Sequence, residues 1–140
     1  MSTATQSIFP SVRYRDAVAA IDFLDRAFGF EPGLVVQDHD GVVQHAELRF
    51  GDEWIMVGST TAGEGGRLAV DTGPAWIYLV VEDPDAHYER ARAAGAEIVR
   101  ELVDEEYGSR GYTARDPEGN LWSVGTYRPD DEEEELAGLR

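Results

Sequence analysis

No cysteine occurs in the chain, which excludes disulfides, thiolate metal sites and cysteine nucleophiles together. Lysine is absent too, all twelve basic residues being arginine. Without a lysine amine there is no Schiff base and no P-loop lysine, so aldolase-like, pyridoxal-phosphate and Walker-type phosphoryl chemistry fall away. Ser109 lies in Y-G-S-R-G, not in the G-x-S-x-G spacing of a nucleophile elbow. No apolar run nears the ~20 residues that a membrane span needs, and the opening MSTATQSIFP lacks the regions of a signal peptide. The expectation is a cytoplasmic protein that does not engage a membrane.

What is present suffices for one domain. The 140 residues are 42% hydrophobic, within the ~100 to 200 residues of an ordinary domain. The expected domain covers residues 1–129, with an acidic tail at 130–140. Net charge is −16; the tail, with six acids and one arginine, holds −5 of it and leaves −11 on the body. Such a field repels phosphate backbones, so nucleic acid is not an expected partner, while a cationic ligand is compatible. The run DDEEEE repels itself and reads as a solvated tail.

Local signals divide the body in two. Ser7 to Tyr14 reads as a strand, Asp16 as an N-cap, and Val18, Ile21, Leu24 and Phe28 as a helical stripe that Gly29 ends. Strands follow at about 32–38, 42–50 and 53–58, joined by a type I′ turn signal at Asp40-Gly41 and a tight turn at Gly51-Asp52. Asp38-His39-Asp40-Gly41 resembles the start of a calcium loop, but Val42 and Arg49 stand where acids are needed. The Gly-rich stretch 59–73 reads as a crossover or lid, with no phosphate-binding fingerprint. Then the pattern restarts: a strand at 76–82, Asp83 as cap with Pro84 at the first helical position, a stripe of Tyr88, Ala91 and Ala94, and Gly95 as the stop. Strands at 97–102, 111–116 and 120–126 follow, the last two joined by Asp116-Pro117-Glu118-Gly119.

The spacing is that of a duplication. Asp16 recurs as Asp83 and Gly58 as Gly125, each 67 residues on; Gly29 recurs as Gly95 after 66, and Gly51 as Gly119 after 68. Four such positions in order and in matching contexts argue for a tandem βαβββ repeat over about 7–58 and 74–128. The expected fold class is α+β.

With this order, RYRDAVAAIDFLDRAFGFEP, VVEDPDAHYERARAAGAEIV and YGSRGYTARDPEGNLWSVGTYRP together resemble the vicinal oxygen chelate superfamily, specifically its glyoxalase and bleomycin-resistance-like proteins. The similarity covers Ser7 to Arg128. It implies that each module's sheet forms half of an open barrel with helices outside and a cavity on the concave face, commonly in a homodimer. In metal-dependent members it implies four ligands, from the first and fourth strands of each module. Carried over residue by residue, those positions are Phe9 and Trp76, each seven before a capping Asp, Ser123, seven after Asp116, and Met56, 67 before Ser123. Phe and Trp cannot coordinate a divalent cation, the Met thioether is too soft for the usual ions, and Ser alone is a poor ligand. The reading is therefore loss of the family's metal, with no other cofactor expected.

Strand alternation places Phe9, Ser11, Arg13, Trp54, Met56, Trp76, Tyr78, Leu121 and Ser123 on the cavity side. It places Ile8, Val12, Ile55, Val57, Ile77, Leu79, Trp122 and Val124 under the helices. Two readings of the inward rings stand: walls on which a ligand stacks, or a cavity filled by its own aromatics. His45, Glu47 and Arg49 share one strand face, so His45 and Glu47 are candidates for a general base and its orienting carboxylate, for two legs of a displaced metal site, or for an ion pair on a solvated or dimer-facing surface. His39 and His87 read as surface residues. Tyr107 and Arg110, beside the Gly108 turn, are candidates for closing over a ligand or for bracing a loop. The function expected is metal-free binding of a small planar or cationic molecule by a protein of the bleomycin-resistance type. The alternatives are a metal-dependent lyase, isomerase or dioxygenase with a rearranged site that uses His45 and Glu47, and a non-catalytic dimer with a filled cavity.

Overall fold

The computed structural model describes residues 6–62, 75–106 and 108–128. The Gly-rich stretch from Gly63 onward, Tyr107 and the acidic tail lie outside the described residues. Element order is β1 (Ser11–Tyr14), α1 (Ala17–Phe23), a π-helical turn (Leu24–Phe28), β2 (Glu31–Gln37), β3 (Val43–Phe50) and β4 (Glu53–Ser59). The second half follows with β5 (Trp76–Val80), α2 (Pro84–Ala93), β6 (Glu97–Asp104), β7 (Arg110–Arg115) and β8 (Leu121–Gly125).

Both halves start their helices by the same local chemistry. Asp16 accepts from the Ala19 N–H at 3.1 Å and Asp83 from the Ala86 N–H at 3.0 Å, each satisfying a donor that the first helical turn leaves open. Gly29 and Gly95 end the two helical segments at φ 87° and 95°, a region that favours glycine. The strands then order as β1-β4-β3-β2 and β5-β8-β7-β6, with the first strand of each sheet parallel to the fourth and the rest antiparallel. Ser11 opposes Met56 and Tyr78 opposes Ser123, so the registers as well as the order repeat after 67 residues. The fold is α+β, two four-stranded sheets with two helices; among the described residues neither sheet closes into a barrel.

Three expectations are corrected here, and a fourth, at His87, below. The first strand begins at Ser11 rather than Ser7, leaving Ile8 85% exposed instead of packed under a helix. Val18 is exposed, because the tightly packed face of α1 is formed by Ala17, Ala20, Ile21 and Phe23. At the β2–β3 connection the Gly41 N–H bonds to the Asp38 carbonyl, so the turn centres on His39-Asp40 rather than on a type I′ Asp40-Gly41. The Asp38 carboxylate accepts the N–H groups of Asp40 and Val42 and stabilises that turn instead.

One core joins the halves. Val12, Leu48, Ile55 and Val57 of the first sheet and Leu79, Tyr112, Trp122 and Val124 of the second bury against the helices. Phe28 and Phe30 both touch the Trp122 ring, at centroid distances of 5.5 and 5.6 Å. Arg90 of α2 donates to the Asp25 and Arg26 carbonyls and so ties the second helix to the end of the π-helical turn. Both sheets turn their helix-covered faces to this shared core, and their opposite faces look away from it.

His87, expected at the surface, is instead half-buried between the halves. Its Nε2 is 2.9 Å from the Phe28 carbonyl, which can only accept, so Nε2 carries the proton and Nδ1 accepts from the Tyr112 hydroxyl at 2.6 Å. The ring stacks on Phe28 from the π-helical turn, meets Phe50 of β3 edge-on and Tyr112 of β7 at a tilt, with Arg90 nearby on its own helix. Burial, aided by Arg90, lowers its pKa from the ordinary 6.5, against the opposing bond to Phe28. A depressed folded-state value means that the contribution is complete above the unfolded pKa and is lost as pH falls through the folded one. Stability therefore declines as pH falls below about 6.5, with a slope of at most about 1.4 kcal/mol per pH unit for this one proton. Chemical denaturation at several pH values checks this: His87→Gln flattens the decline, and an unchanged profile in that variant would show that His87 is not its source.

Candidate functional site

The second sheet carries a cavity of about 480 Å³ on the face turned from the core. Its wall is built by register. Trp76 and Tyr78 alternate along β5, and Ser123 of β8 sits opposite both Tyr78 and Thr113 of β7. The Trp76 ring is 69% exposed, yet its indole N–H donates to Ser123 Oγ at 2.7 Å, and that oxygen lies 2.9 Å from Thr113 Oγ1. A large exposed ring is thus held in one orientation by its only polar atom. Tyr78, also exposed on this side, donates its hydroxyl to the Tyr127 carbonyl at 2.6 Å. Arg100 and Glu105 pair at 2.6 Å, and Ser109 and Gly125 complete this side of the wall.

The first sheet's corresponding face is differently furnished. Met56 stands between Ser11 and Glu47 across β1, β4 and β3. Glu47 Oε2 lies 2.9 Å from His45 Nε2, both side chains half-buried, so the expected pair forms on the same face as Met56. Trp54 does not stand free: a Cβ at Gly33 would come within 2.9 Å of the indole, so the ring lies across β2 where only glycine leaves room. The Arg49 guanidinium is 6.0 Å from the Trp54 ring centroid and also bonds Glu31. The Gln6 side chain bonds both the N–H and the carbonyl of Trp54, as a strand neighbour would. Phe9 lies before β1 and is 40% exposed.

Arg110 is committed elsewhere. Its Nε and Nη2 fork onto Asp85 near the start of α2, at 2.8 and 3.1 Å, and Nη1 reaches Asp104 at 3.3 Å. These contacts hold its charge more firmly and draw the Asp85 pKa downward.

Of the residues singled out in the sequence, the fold brings together Trp76, Tyr78 and Ser123. His45, Glu47, Trp54 and Met56 collect on the other sheet, and Arg110 braces β7 against α2. Thr113, Arg100, Glu105 and Tyr127 were missed. Thr113 was within reach: Asp116 and Asn120 bracket the turn, and stepping back evenly from them sets Thr113 opposite Ser123. Arg100 gave no such signal, because β6 meets β7 through register shifts that break the count.

The donor chemistry does not fit the metal site that the fold family implies. Phe9, Met56, Trp76 and Ser123 supply no carboxylate or imidazole, and Trp76 and Ser123 are bonded to each other. Among the described residues no group of three or more His, Asp or Glu is placed to hold an ion, and no helix is long and apolar enough to cross a membrane.

Comparison with known proteins places this geometry. A family model for the Glyoxalase/Bleomycin resistance protein/Dioxygenase superfamily matches residues 7–124. An uncharacterized protein of Mycobacterium bovis, Mb0911c, is 35% identical over 124 residues, 85% of this chain and 82% of the relative. Among solved structures, TioX from Micromonospora sp. ML1 is similar at 34% identity with a TM-score of 0.76, over 88% of this chain and 99% of that one. A glyoxalase/bleomycin resistance protein/dioxygenase family enzyme from Burkholderia phytofirmans PsJN shares the fold at 23% identity and a TM-score of 0.67, over 84% and 94% of the two chains.

Proposed function

The chain belongs to the glyoxalase/bleomycin resistance protein/dioxygenase superfamily, and we propose that within it this protein is a metal-free binder that sequesters a small planar or cationic molecule on the face of Trp76. One observation carries the reading: an indole left 69% exposed while its N–H is tied to Ser123. Exposing a large ring is unfavourable, and fixing it costs side-chain entropy. A fixed ring, in turn, spares a stacking ligand that ordering cost.

The binding unit is a homodimer. The open face of a sheet, turned from the shared core, is a surface that a second copy of the chain can cover. Leu34 and Val36 on the first sheet leave apolar surface exposed for that contact, and the Trp76 face is left to the ligand. Sedimentation is expected to give twice the chain mass; a monomer at micromolar concentration overturns the dimer without touching the stacking site.

Elemental analysis of purified, untagged protein tests the metal-free reading. Less than a tenth of an equivalent of zinc, nickel, iron or manganese is expected, with a thermal midpoint indifferent to chelator. Stoichiometric metal defeats the proposal. A second reading, catalysis by His45 with Glu47 orienting it, is favoured by their 2.9 Å contact. In that case His45→Ala and Glu47→Ala each abolish chelator-sensitive turnover, whereas in the binding reading both variants keep the ligand-induced thermal shift.

A further inference from the structure

Resting on the Trp76 stacking reading, we infer that the ligand is an uncharged planar heteroaromatic whose edge carries a hydrogen-bond acceptor, a ring nitrogen or a carbonyl, recognised by the Ser123–Thr113 hydroxyl pair. Proton counting along the chain of polar groups supports this. The Trp76 indole, Ser123 and Thr113 hold three donor protons in all. Two are used, one in the 2.7 Å bond from the indole to Ser123 Oγ and one between the two hydroxyls at 2.9 Å. Whichever hydroxyl donates to the other, one O–H proton remains, and among the described residues no acceptor takes it. That proton lies at the edge of the pinned ring and inside the cavity wall. A ring laid on the Trp76 face brings its own edge over this pair, where an acceptor meets the remaining O–H proton.

Charge narrows the class further. The chain as a whole is strongly acidic, which favours cations at long range. Within the lining, however, the two charged side chains are Arg100 and Glu105, and they neutralise each other at 2.6 Å. The long-range field decays within about 10 Å at ordinary ionic strength, so the contacts at the wall are left to decide specificity. Those contacts are aromatic and hydroxylic.

Three probes of one shape separate the terms: isoquinoline, naphthalene and N-methylisoquinolinium, titrated calorimetrically in mildly alkaline buffer where isoquinoline is neutral. Isoquinoline is expected to bind about five-fold tighter than naphthalene, the value of one neutral hydrogen bond, and tighter than the methylated cation, whose acceptor is blocked. In the double variant Thr113→Val with Ser123→Ala, the preference for isoquinoline disappears while naphthalene still binds, showing that the site is folded. Tightest binding by the cation, equal binding by all three, or a preference that survives the double variant overturns the ligand class and leaves stacking intact. Failure of all three probes to bind overturns the class and the stacking reading together.

Discussion

Asp116→Ala is expected to destabilise the protein by about 3 to 5 kcal/mol, the cost of orphaning several buried donors at once. The Asp116 side chain is buried and accepts from the Tyr14 hydroxyl at 2.6 Å, from Trp122 Nε1 at 3.0 Å and from Asn120 Nδ2 at 3.1 Å. Its other oxygen takes the N–H groups of Glu118 and Asn120 and so stabilises the turn that sets the last hairpin. Tyr14 belongs to β1, so a carboxylate chosen for a local turn also joins the two halves of the chain. Burial first, and Asp116 second, hold the Tyr14 hydroxyl protonated far above its ordinary range, which keeps it a donor at every working pH. Next to it, Glu118 accepts the N–H groups of Arg15 and Asp16 at 2.7 and 2.8 Å and secures the start of the first helix from the second half. Tyr14→Phe removes one donor and leaves the carboxylate otherwise satisfied, so about 1 to 2 kcal/mol is expected. Guanidinium denaturation of both variants measures the pair. A loss below about 1 kcal/mol for Asp116→Ala would show that the network is not what couples the halves.

Trp76→Ala is expected to weaken ligand binding about ten- to hundred-fold, the range for truncating a central aromatic anchor, while changing stability by no more than about 0.5 kcal/mol. The separation follows from exposure: with 69% of its surface in water, Trp76 contributes little to the core and offers most of its face to a partner. Trp122 is the opposite case, fully buried against Phe28 and Phe30, and its truncation unfolds rather than unbinds. Ser123→Ala lies between, releasing the indole from its fixed orientation and costing a few-fold in affinity through restored ring freedom. Calorimetric titration with isoquinoline, paired with thermal melts, gives both quantities. Equal affinity in Trp76→Ala and the parent protein would remove Trp76 from the site.

Much of the fold was legible because its signals are local. Asp16 and Asp83 cap helices with atoms three residues away, and the glycines at 29, 95 and 119 stand at positive φ where a side chain would be strained. The failures come where local signals conflict with distant packing. Ile8 alternates like a strand residue, but β1 begins only at Ser11 and Ile8 is left exposed. His87 lies beside a helical stripe, and its burial depends on Phe28 and Phe50 arriving from the other half.

By itself the sequence determined the doubled βαβββ order, most of the strand faces and the absence of a carboxylate or imidazole at Phe9, Met56, Trp76 and Ser123, because caps, turns, alternation and side-chain type are properties of residues and their near neighbours. Only the tertiary structure decided which inward rings are available. Trp54 is laid across Gly33 and covers its sheet, whereas Trp76 is tied at one edge to Ser123 and left open. The physical reason is that alternation sets the side of a sheet on which a side chain emerges, while its freedom there depends on what neighbouring strands and the rest of the fold place beside it.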